Sequence, residues 1–251
     1  MYAVLGFVLA IAVLTYASYR DLWERMVSDA VWLAGVPVAV ALDVIGLLFG
    51  EIQPAKLLVS ISVSACIGAA LYHLGLVGGA DGIAFAFLGL AVPAYPKGLP
   101  LLGDPLALPP LATFFNASLL SLVFPLTIFT MNLADIVRGR NPFRGVEVRG
   151  VGDLILILFT TRRINLEKVL GGLLYFPAER IEVEGRRIIR KPIFFIRAEA
   201  DISGEVAKIA EHREVYKDGV LASPTIPMIV FLAIGLALST LGNLVFLAFK
   251  P

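Results

Sequence analysis

Leu57-Leu58-Val59-Ser60-Ile61-Ser62-Val63-Ser64-Ala65-Cys66-Ile67-Gly68-Ala69-Ala70-Leu71-Tyr72-His73-Leu74-Gly75-Leu76-Val77 carries no formal charge and stops at Gly78-Gly79-Ala80-Asp81-Gly82. A helix needs roughly 20 apolar residues to cross the hydrocarbon core of a bilayer, so this run reads as a membrane span. Its neighbours read the same way. Residues 2–19 are apolar, as are residues 30–50 with Asp43 embedded in them. Residues 83–95 are apolar but short and end at Pro93 and Pro96, which fits either a tilted short span or a half-helix. The Gly- and Pro-rich segment 96–110 reads as a loop. Residues 108–131 form a fifth span with Pro125 as an expected kink, and residues 224–249 a sixth that opens with Pro224 and Pro227.

Composition agrees. Of 251 residues, 58% are hydrophobic, and the mean hydropathy is +0.86. That is too apolar for a soluble domain of this size. The polar exception is the segment 132–222, which holds 16 of the 21 Lys and Arg and 13 acidic residues. Arg180-Ile181-Glu182-Val183-Glu184-Gly185 and Glu214-Val215-Tyr216-Lys217-Asp218-Gly219 read as hairpin strands, and residues 203–213 as a short helix. The expected fold is an all-α polytopic membrane protein with about six transmembrane helices. A small α+β cytoplasmic domain separates the fifth from the sixth. The expected divisions are 1–131, 132–222 and 223–251.

Other function classes recede. A net charge of +1 provides no basic field for nucleic acid. Cys66 is the sole cysteine, which excludes an intrachain disulfide and a Cys-rich zinc site. His73 and His212 match no metal-ligand spacing. No metal or cofactor is expected, and the sequence carries no signal for oligomeric state. The N-terminus opens on an apolar run without a basic n-region or an Ala-x-Ala exit, and reads as a mature span.

Basic residues set the expected orientation. Arg20 and Arg25 flank the end of span one; Arg138, Arg140, Arg144 and Arg149 follow span five; Arg213 and Lys217 precede span six. Six spans put all of these on one side, expected to be the cytoplasm. Lys56, Lys97 and Lys250 fall opposite, and both termini lie outside.

That topology brings two aspartates to one face. Asp21 closes span one in Tyr19-Arg20-Asp21-Leu22-Trp23-Glu24-Arg25, and Asp81 follows span three. An ionisable residue at membrane depth marks a functional site by default. Two adjacent carboxylates can share one proton: the charged one takes a proton from water while the neutral one donates to a carbonyl oxygen. Gly78, Gly79 and Gly82 permit positive φ and close backbone approach by a substrate. If the first helix continues, Arg25 lies on the face of Asp21 and can pair with it. Each aspartate alone also has a plainer reading: Asp21 as an interfacial charge, and Asp81 as the cap of span four.

Other acidic positions read differently. Gly150-Val151-Gly152-Asp153 spells Gly-x-Gly-Asp, but only Leu154 to Phe159 follow before Thr-Thr-Arg-Arg, so Asp153 is expected to cap a helix of the soluble domain. Asp43 is about 20 Å from the Asp29 end of its span at ~1.5 Å per residue, too far to join the pair. Its side chain is open to a bond with Asn116 or Ser118 or to a polar cavity, and the sequence does not choose among them. The sequon Asn116-Ala117-Ser118 lies within an apolar span and is discounted. Asp29 is expected to cap span two and to help shape the Asp21 site for substrate.

Ser18, Tyr19, Asp21, Arg25 and Asp29, followed by a second aspartate in a glycine loop after the third span, resemble the pattern of the type IV prepilin peptidases. The archaeal preflagellin (prearchaellin) and prepilin peptidases of the Gly-x-Gly-Asp class are the branch resembled. Leu88-Gly89-Leu90-Ala91-Val92-Pro93 and the Pro224-to-Pro227 start of the last span also fit. The resemblance implies Asp21 and Asp81 as the catalytic pair. It implies precursors with a basic n-region and an apolar helix as substrates, cut at the cytoplasmic membrane interface, with the lipid bilayer as surroundings. Ala80 departs from the family's usual glycine. The bacterial branch often carries a four-cysteine zinc element and methylates its product; this chain lacks those cysteines, which implies cleavage without methylation.

Three other readings start from the same residues: an intramembrane protease cutting within substrate helices, a proton- or cation-coupled transporter with Asp21, Asp43 and Asp81 as a relay, and a scaffold whose polar domain touches anionic lipid. No convincing internal repeat supports the transporter. The near balance of charge in 132–222 weakens the scaffold.

Overall fold

A computed structural model describes residues 1–171, 174–184, 187–198 and 200–249. Lys250 and Gly185, two positions used above, lie outside the described residues. The chain divides into two units, Met1–Ser121 with Pro227–Pro251, and Leu122–Ile226.

In the first unit, α1 (Tyr2–Glu24), α2 (Asp29–Leu48) and α3 (Pro54–His73) are each long and apolar enough to span a membrane. The 29-residue stretch Pro109–Val137 also qualifies, giving four such helices among the described residues. α4 (Gly79–Ala91) is apolar but has only 13 residues. It starts earlier than the apolar run suggested, because Gly79 and Ala80 are already helical.

The fifth apolar stretch is broken into α5 (Pro109–Ser121) and α6 (Val123–Val137). The break at Leu122 follows from Pro125, which has no N–H for the Ser121 carbonyl and whose ring crowds that oxygen. The last stretch is shorter than expected. Pro224 ends a strand, so the first helix beyond it is α10 (Met228–Ser239), followed by α11 (Leu244–Ala248). Asn116 ties these helices to α5: its amide donates to the Gly242 carbonyl at 3.0 Å, and its Oδ1 accepts from Leu244 N–H at 2.9 Å. Between α4 and α5, Asp104 accepts from Tyr95 Oη at 3.1 Å and from the N–H groups of Leu106 and Leu108. Burial pushes the Tyr95 phenol up, and the Asp104 charge adds to this.

Small residues set how closely the helices of this unit approach. A Cβ on Gly68 of α3 would stand 2.5 Å from the Gly82 oxygen of α4, and one on Gly89 of α4 would stand 2.6 Å from the Ser60 oxygen of α3. Ser60 Oγ donates to that same Gly89 carbonyl at 2.7 Å. Close backbone contact between small residues is the usual way membrane helices gain dispersion energy when no hydrophobic effect separates them from lipid. The pairings Ser60 with Gly89 and Gly68 with Gly82 make α3 and α4 antiparallel.

The second unit begins with α6 and α7 (Val151–Thr160). β1 (Arg162–Ile164), α8 (Leu166–Leu170) and β2 (Tyr175–Pro177) follow. β3 (Glu179–Glu184) and β4 (Arg187–Pro192) come next, then α9 (Ser203–Glu211) and β5 (Val220–Pro224). β5 is the middle strand of an antiparallel β1-β5-β2 sheet, with Arg163 opposite Leu221 and Phe176 opposite Ser223. β3 and β4 form the hairpin expected at Arg180. The stretch from Glu214 is not a strand. Residues Arg213–Tyr216 form a 3-10 turn, and Gly219 at φ +93° reverses the chain into β5. This places Tyr216 in the core with Leu166, Val169, Ile181, Ile209, Val220 and Ala222.

Candidate active site

α1 supplies Asp21 and α4 supplies Asp81. A Cβ on Gly6, near the start of α1, would meet the carbonyl of Ala91 at the end of α4. With this contact at one end and the Asp21 charge acting on Asp81 at the other, the two helices run antiparallel. Both side chains are half-buried, and they are near enough for the Asp21 charge to act on Asp81.

Asp81 lies in the first turn of α4, where Oδ2 accepts from Gly78 N–H at 3.2 Å. That is a capping contact, so the plainer reading of Asp81 holds at the same time as the placement beside Asp21. Gly78, Gly79 and Gly82 do not have positive φ; Gly78 is extended, at φ −74°. The left-handed position is Gly75 at φ +72°, just beyond α3. Gly82 is needed for packing, because its Cα edge faces the Gly68 backbone. Ala80 is within the first turn of α4, where a methyl group favours helix. The difference from the family's glycine therefore imposes no strain on the loop.

Arg25 is not paired with Asp21. α1 stops at Glu24, and Arg25 turns left-handed at φ +53° with its N–H on the Asp21 carbonyl at 3.1 Å. Its guanidinium remains near enough for its charge to act on Asp21. Arg20 instead pairs with Glu24 at 2.5 Å. Ser28, rather than Asp29, caps α2, accepting from Ala30 N–H at 3.3 Å. Asp29 is the exposed first residue of that helix.

A cleft of about 620 Å³ lies between α1 and α2; neither Asp21 nor Asp81 lines it. Leu9, Ala12, Val13, Ala34 and Gly35 form its apolar length, and Arg20 and Ser28 its polar end. Its small side chains come from both helices.

Two buried polar groups in these helices lack partners among the described residues. Trp32 is buried against Phe87, with ring centroids 5.9 Å apart, and its Nε1 has no hydrogen-bond partner among the described residues. Ser18 Oγ, one turn before Asp21 on α1, is likewise buried and unpartnered. Ser18 belonged to the quoted pattern. Trp32 gave no signal, because an aromatic residue in an apolar run looks like core.

The remaining acidic positions separate from the pair. Asp43 is buried on α2, with Oδ2 lacking a hydrogen-bond partner among the described residues. Asn116 is engaged by Gly242 and Leu244, as described, so it is not the partner expected for Asp43. Asp153 lies in the first turn of α7 and accepts from Arg149 N–H at 2.9 Å, a capping contact in the other unit. Among the described residues, no group of three or more His, Cys, Asp or Glu is placed to hold a metal ion.

Residues 8–126 match the family model described as the type IV leader peptidase family. The match includes Asp21, Asp43 and Asp81 and stops short of Asp153. No curated protein and no solved structure matches the chain.

Proposed function

We propose, on the match of residues 8–126 to the type IV leader peptidase family model, that the chain is a membrane aspartic endopeptidase with Asp21 and Asp81 as its catalytic pair. Its proposed substrates are archaellin- and type IV pilin-like precursors, from which it removes class III signal peptides. The observation that carries the reading is the antiparallel pairing of α1 with α4, with Asp21 and Asp81 at the same end and the Asp21 charge acting on Asp81.

In the proposed mechanism one carboxylate is charged and the other protonated. The charged one takes a proton from a water whose oxygen attacks the scissile carbonyl carbon. The neutral one gives its proton to the carbonyl oxygen, and a tetrahedral diol forms. As the diol collapses, one of its hydroxyls returns a proton to the carboxylate that had given one up, the carbonyl re-forms and the C–N bond breaks; the leaving amine takes the proton held by the other carboxylate, so the pair again holds one proton. Atoms balance without a metal, a cofactor or a covalent intermediate. Neither carboxylate holds a fixed role, because two interacting groups titrate as one unit.

The proposed topology has six spans, with α4, α5–α6 and α10–α11 completing the set begun by α1 to α3. The Asp21 end faces the cytoplasm and both termini lie outside. A precursor's basic n-region then stays in the cytoplasm while its apolar helix lies along the α1–α2 cleft, and the bond between them reaches the pair. Exposed Asp29 offers a carboxylate to the basic segment.

The test uses proteoliposomes and a precursor with a basic n-region ahead of an apolar helix. Wild type, Asp21→Asn, Asp81→Asn and Asp153→Asn are run side by side, and the cleavage site is mapped. The expected result is cleavage beside the n-region by wild type and Asp153→Asn only. Retained cleavage by Asp81→Asn would overturn the pair, and a cut deep inside the apolar helix would favour an intramembrane protease.

A further inference from the structure

α7 has its polarity turned inside out for a water-soluble domain. At ~100° per residue, Val151, Gly152, Ile155 and Leu156 fall on one side of the helix. All four are exposed; Val151 is 71% and Ile155 52% accessible. No charged residue shares that side. Asp153 lies across the helix with Ile157, which is fully buried. A helix of a soluble domain places its apolar face inward and its charges outward.

The helix is held firmly in this attitude. Asn132 of α6 donates from Nδ2 to the carbonyls of Leu158 at 2.9 Å and Thr161 at 2.8 Å, closing the C-terminal end of α7. The rings of Phe129 and Phe159 stack with centroids 4.5 Å apart. α6 extends the apolar surface through Leu133 and Val137, which is 81% exposed.

The covering partner is indicated by where α6 comes from. Pro109–Val137 is a membrane-capable stretch of 29 residues, and roughly 20 suffice to cross the hydrocarbon core. Asp135 and Arg138 mark its watery end, so the last turns of α6 run through the headgroup zone, and α7 packs against those turns. Arginines flank the two helices in sequence: Arg138 follows α6, Arg149 precedes α7 and Arg162 follows α7. Arg138 and Arg149 are exposed and form no ion pair among the described residues. Arg162 reaches Asp135 at 3.4 Å. An apolar helical face with exposed arginines at the ends of its helices, Arg138 and Arg149, complements the surface of an anionic bilayer.

We propose that α7 is an interfacial membrane anchor, which seats the unit Leu122–Ile226 on anionic lipid headgroups through Val151, Ile155 and Leu156. Such a helix lies in the plane of the interface with its apolar face ~5–10 Å deep. Neither Asp21 nor Asp81 takes part, so the anchor stands or falls apart from the proposed catalysis.

The lone cysteine makes a clean test. Cys66→Ser provides a thiol-free full-length chain, into which Val151→Cys, Ile155→Cys, Leu156→Cys or Lys208→Cys is introduced and labelled with a small fluorophore. Each protein is reconstituted into vesicles of phosphatidylcholine with phosphatidylglycerol, with some lipid carrying a nitroxide high on the acyl chain. The three α7 probes are expected to be quenched several-fold more than the Lys208→Cys probe on α9. Arg138→Gln with Arg149→Gln should weaken that quenching, as should vesicles of phosphatidylcholine alone. Quenching of the α7 probes no greater than at Lys208→Cys overturns the proposal. So does self-quenching that rises with protein density without lipid quenching, which would place a second copy on this face.

Discussion

Glu179 and Asp43 are both buried carboxylates, and the two units treat them in opposite ways. Glu179, with no exposed surface, receives Arg190 in a two-pronged bond, Nη2 to Oε1 at 2.6 Å and Nε to Oε2 at 2.9 Å. Leu221 N–H adds a third donor at 2.7 Å, and the guanidinium lies 4.3 Å over the Tyr216 ring. Arg190 also donates to the carbonyls of Val215 and Gly219, which fixes the turn before β5. The surroundings of Glu179 push the Tyr216 phenol up, burial first and the carboxylate's charge second. Asp43 has nothing comparable: one of its oxygens meets no hydrogen-bond donor among the described residues. A carboxylate saturated by donors holds structure. The carboxylates available for chemistry are those that the fold leaves incompletely matched, and Asp21, like Asp43, has no cation bonded to it among the described residues.

The sharpest way to break this contrast is to remove charge on each side of it. Asp21→Asn or Asp81→Asn should lower cleavage by about a hundred-fold or more, in line with general acid–base roles of 10²–10⁴. Neither should lower the melting temperature in detergent. Arg190→Met should do the reverse. It leaves Glu179 buried and unpaired, a loss on the order of 3–5 kcal/mol, which guanidinium unfolding followed by Tyr216-region fluorescence or hydrogen exchange would read. Glu179→Met with Arg190→Met should recover much of that loss, since an apolar pair needs no partner. Equal losses in the single and double variants would show that the pair is not what the core depends on.

How much of this was legible in the sequence follows from which forces are local. The spans α1 to α3 could be read because hydrophobic length alone defines them. Asp21 and Asp81 could be singled out as candidates because a charge beside an apolar run stands out. The hairpin β3–β4 followed from alternation. What failed was fixed by backbone geometry or by distant partners. The end of α1 at Glu24 depends on Arg25 adopting a left-handed turn, which its side chain does not advertise. Gly82 was read as freedom for a substrate, whereas it accommodates Gly68 of a different helix. Tyr216 alternates like a strand residue but enters a 3-10 turn, because the core needs its ring under Arg190. The Glu179–Arg190 bond was invisible, since the sequence shows two charges among many in a segment where most are solvated. The outward apolar face of α7 was present in the letters, but a run from Leu154 to Phe159 looks the same whether it faces inward or outward.

Asp43 sharpens the contrast from within the first unit. If an unmatched carboxylate on α2 contributes nothing to the fold, Asp43→Leu should be neutral or stabilising, because it removes a buried polar atom without a donor and leaves nothing unpaired. A thermal melt in detergent would show an unchanged or higher midpoint. A loss of more than about 2 kcal/mol, the size of an orphaned buried partner, would mean that Asp43 is matched by a donor after all. It would then belong with Glu179.

The smallest expected effect is on the surface of the second unit. Lys191 is hydrogen-bonded to Glu182 across β3 and β4 and, with Arg180 and Arg149 nearby, holds its carboxyl below the ordinary value of 4.5. A carboxyl whose folded value is depressed adds stability that is fully present above its unfolded value and disappears as pH falls through the folded one. The protection factors of the hairpin amides, each taken against the intrinsic exchange rate at the same pH, should therefore be highest at neutral pH and fall as the pH drops below that ordinary value. Glu182→Gln should flatten the profile, by no more than an exposed pair can supply. The Glu179–Arg190 bond lies next to it in the same hairpin, with Glu179 opposite Pro192 and Ile181 opposite Arg190. Protection at Ile181 should therefore persist in the variant, since the buried pair holds the hairpin when the exposed one is gone. Equal collapse at both positions would place the exposed pair, rather than the buried one, in control of the strand pairing.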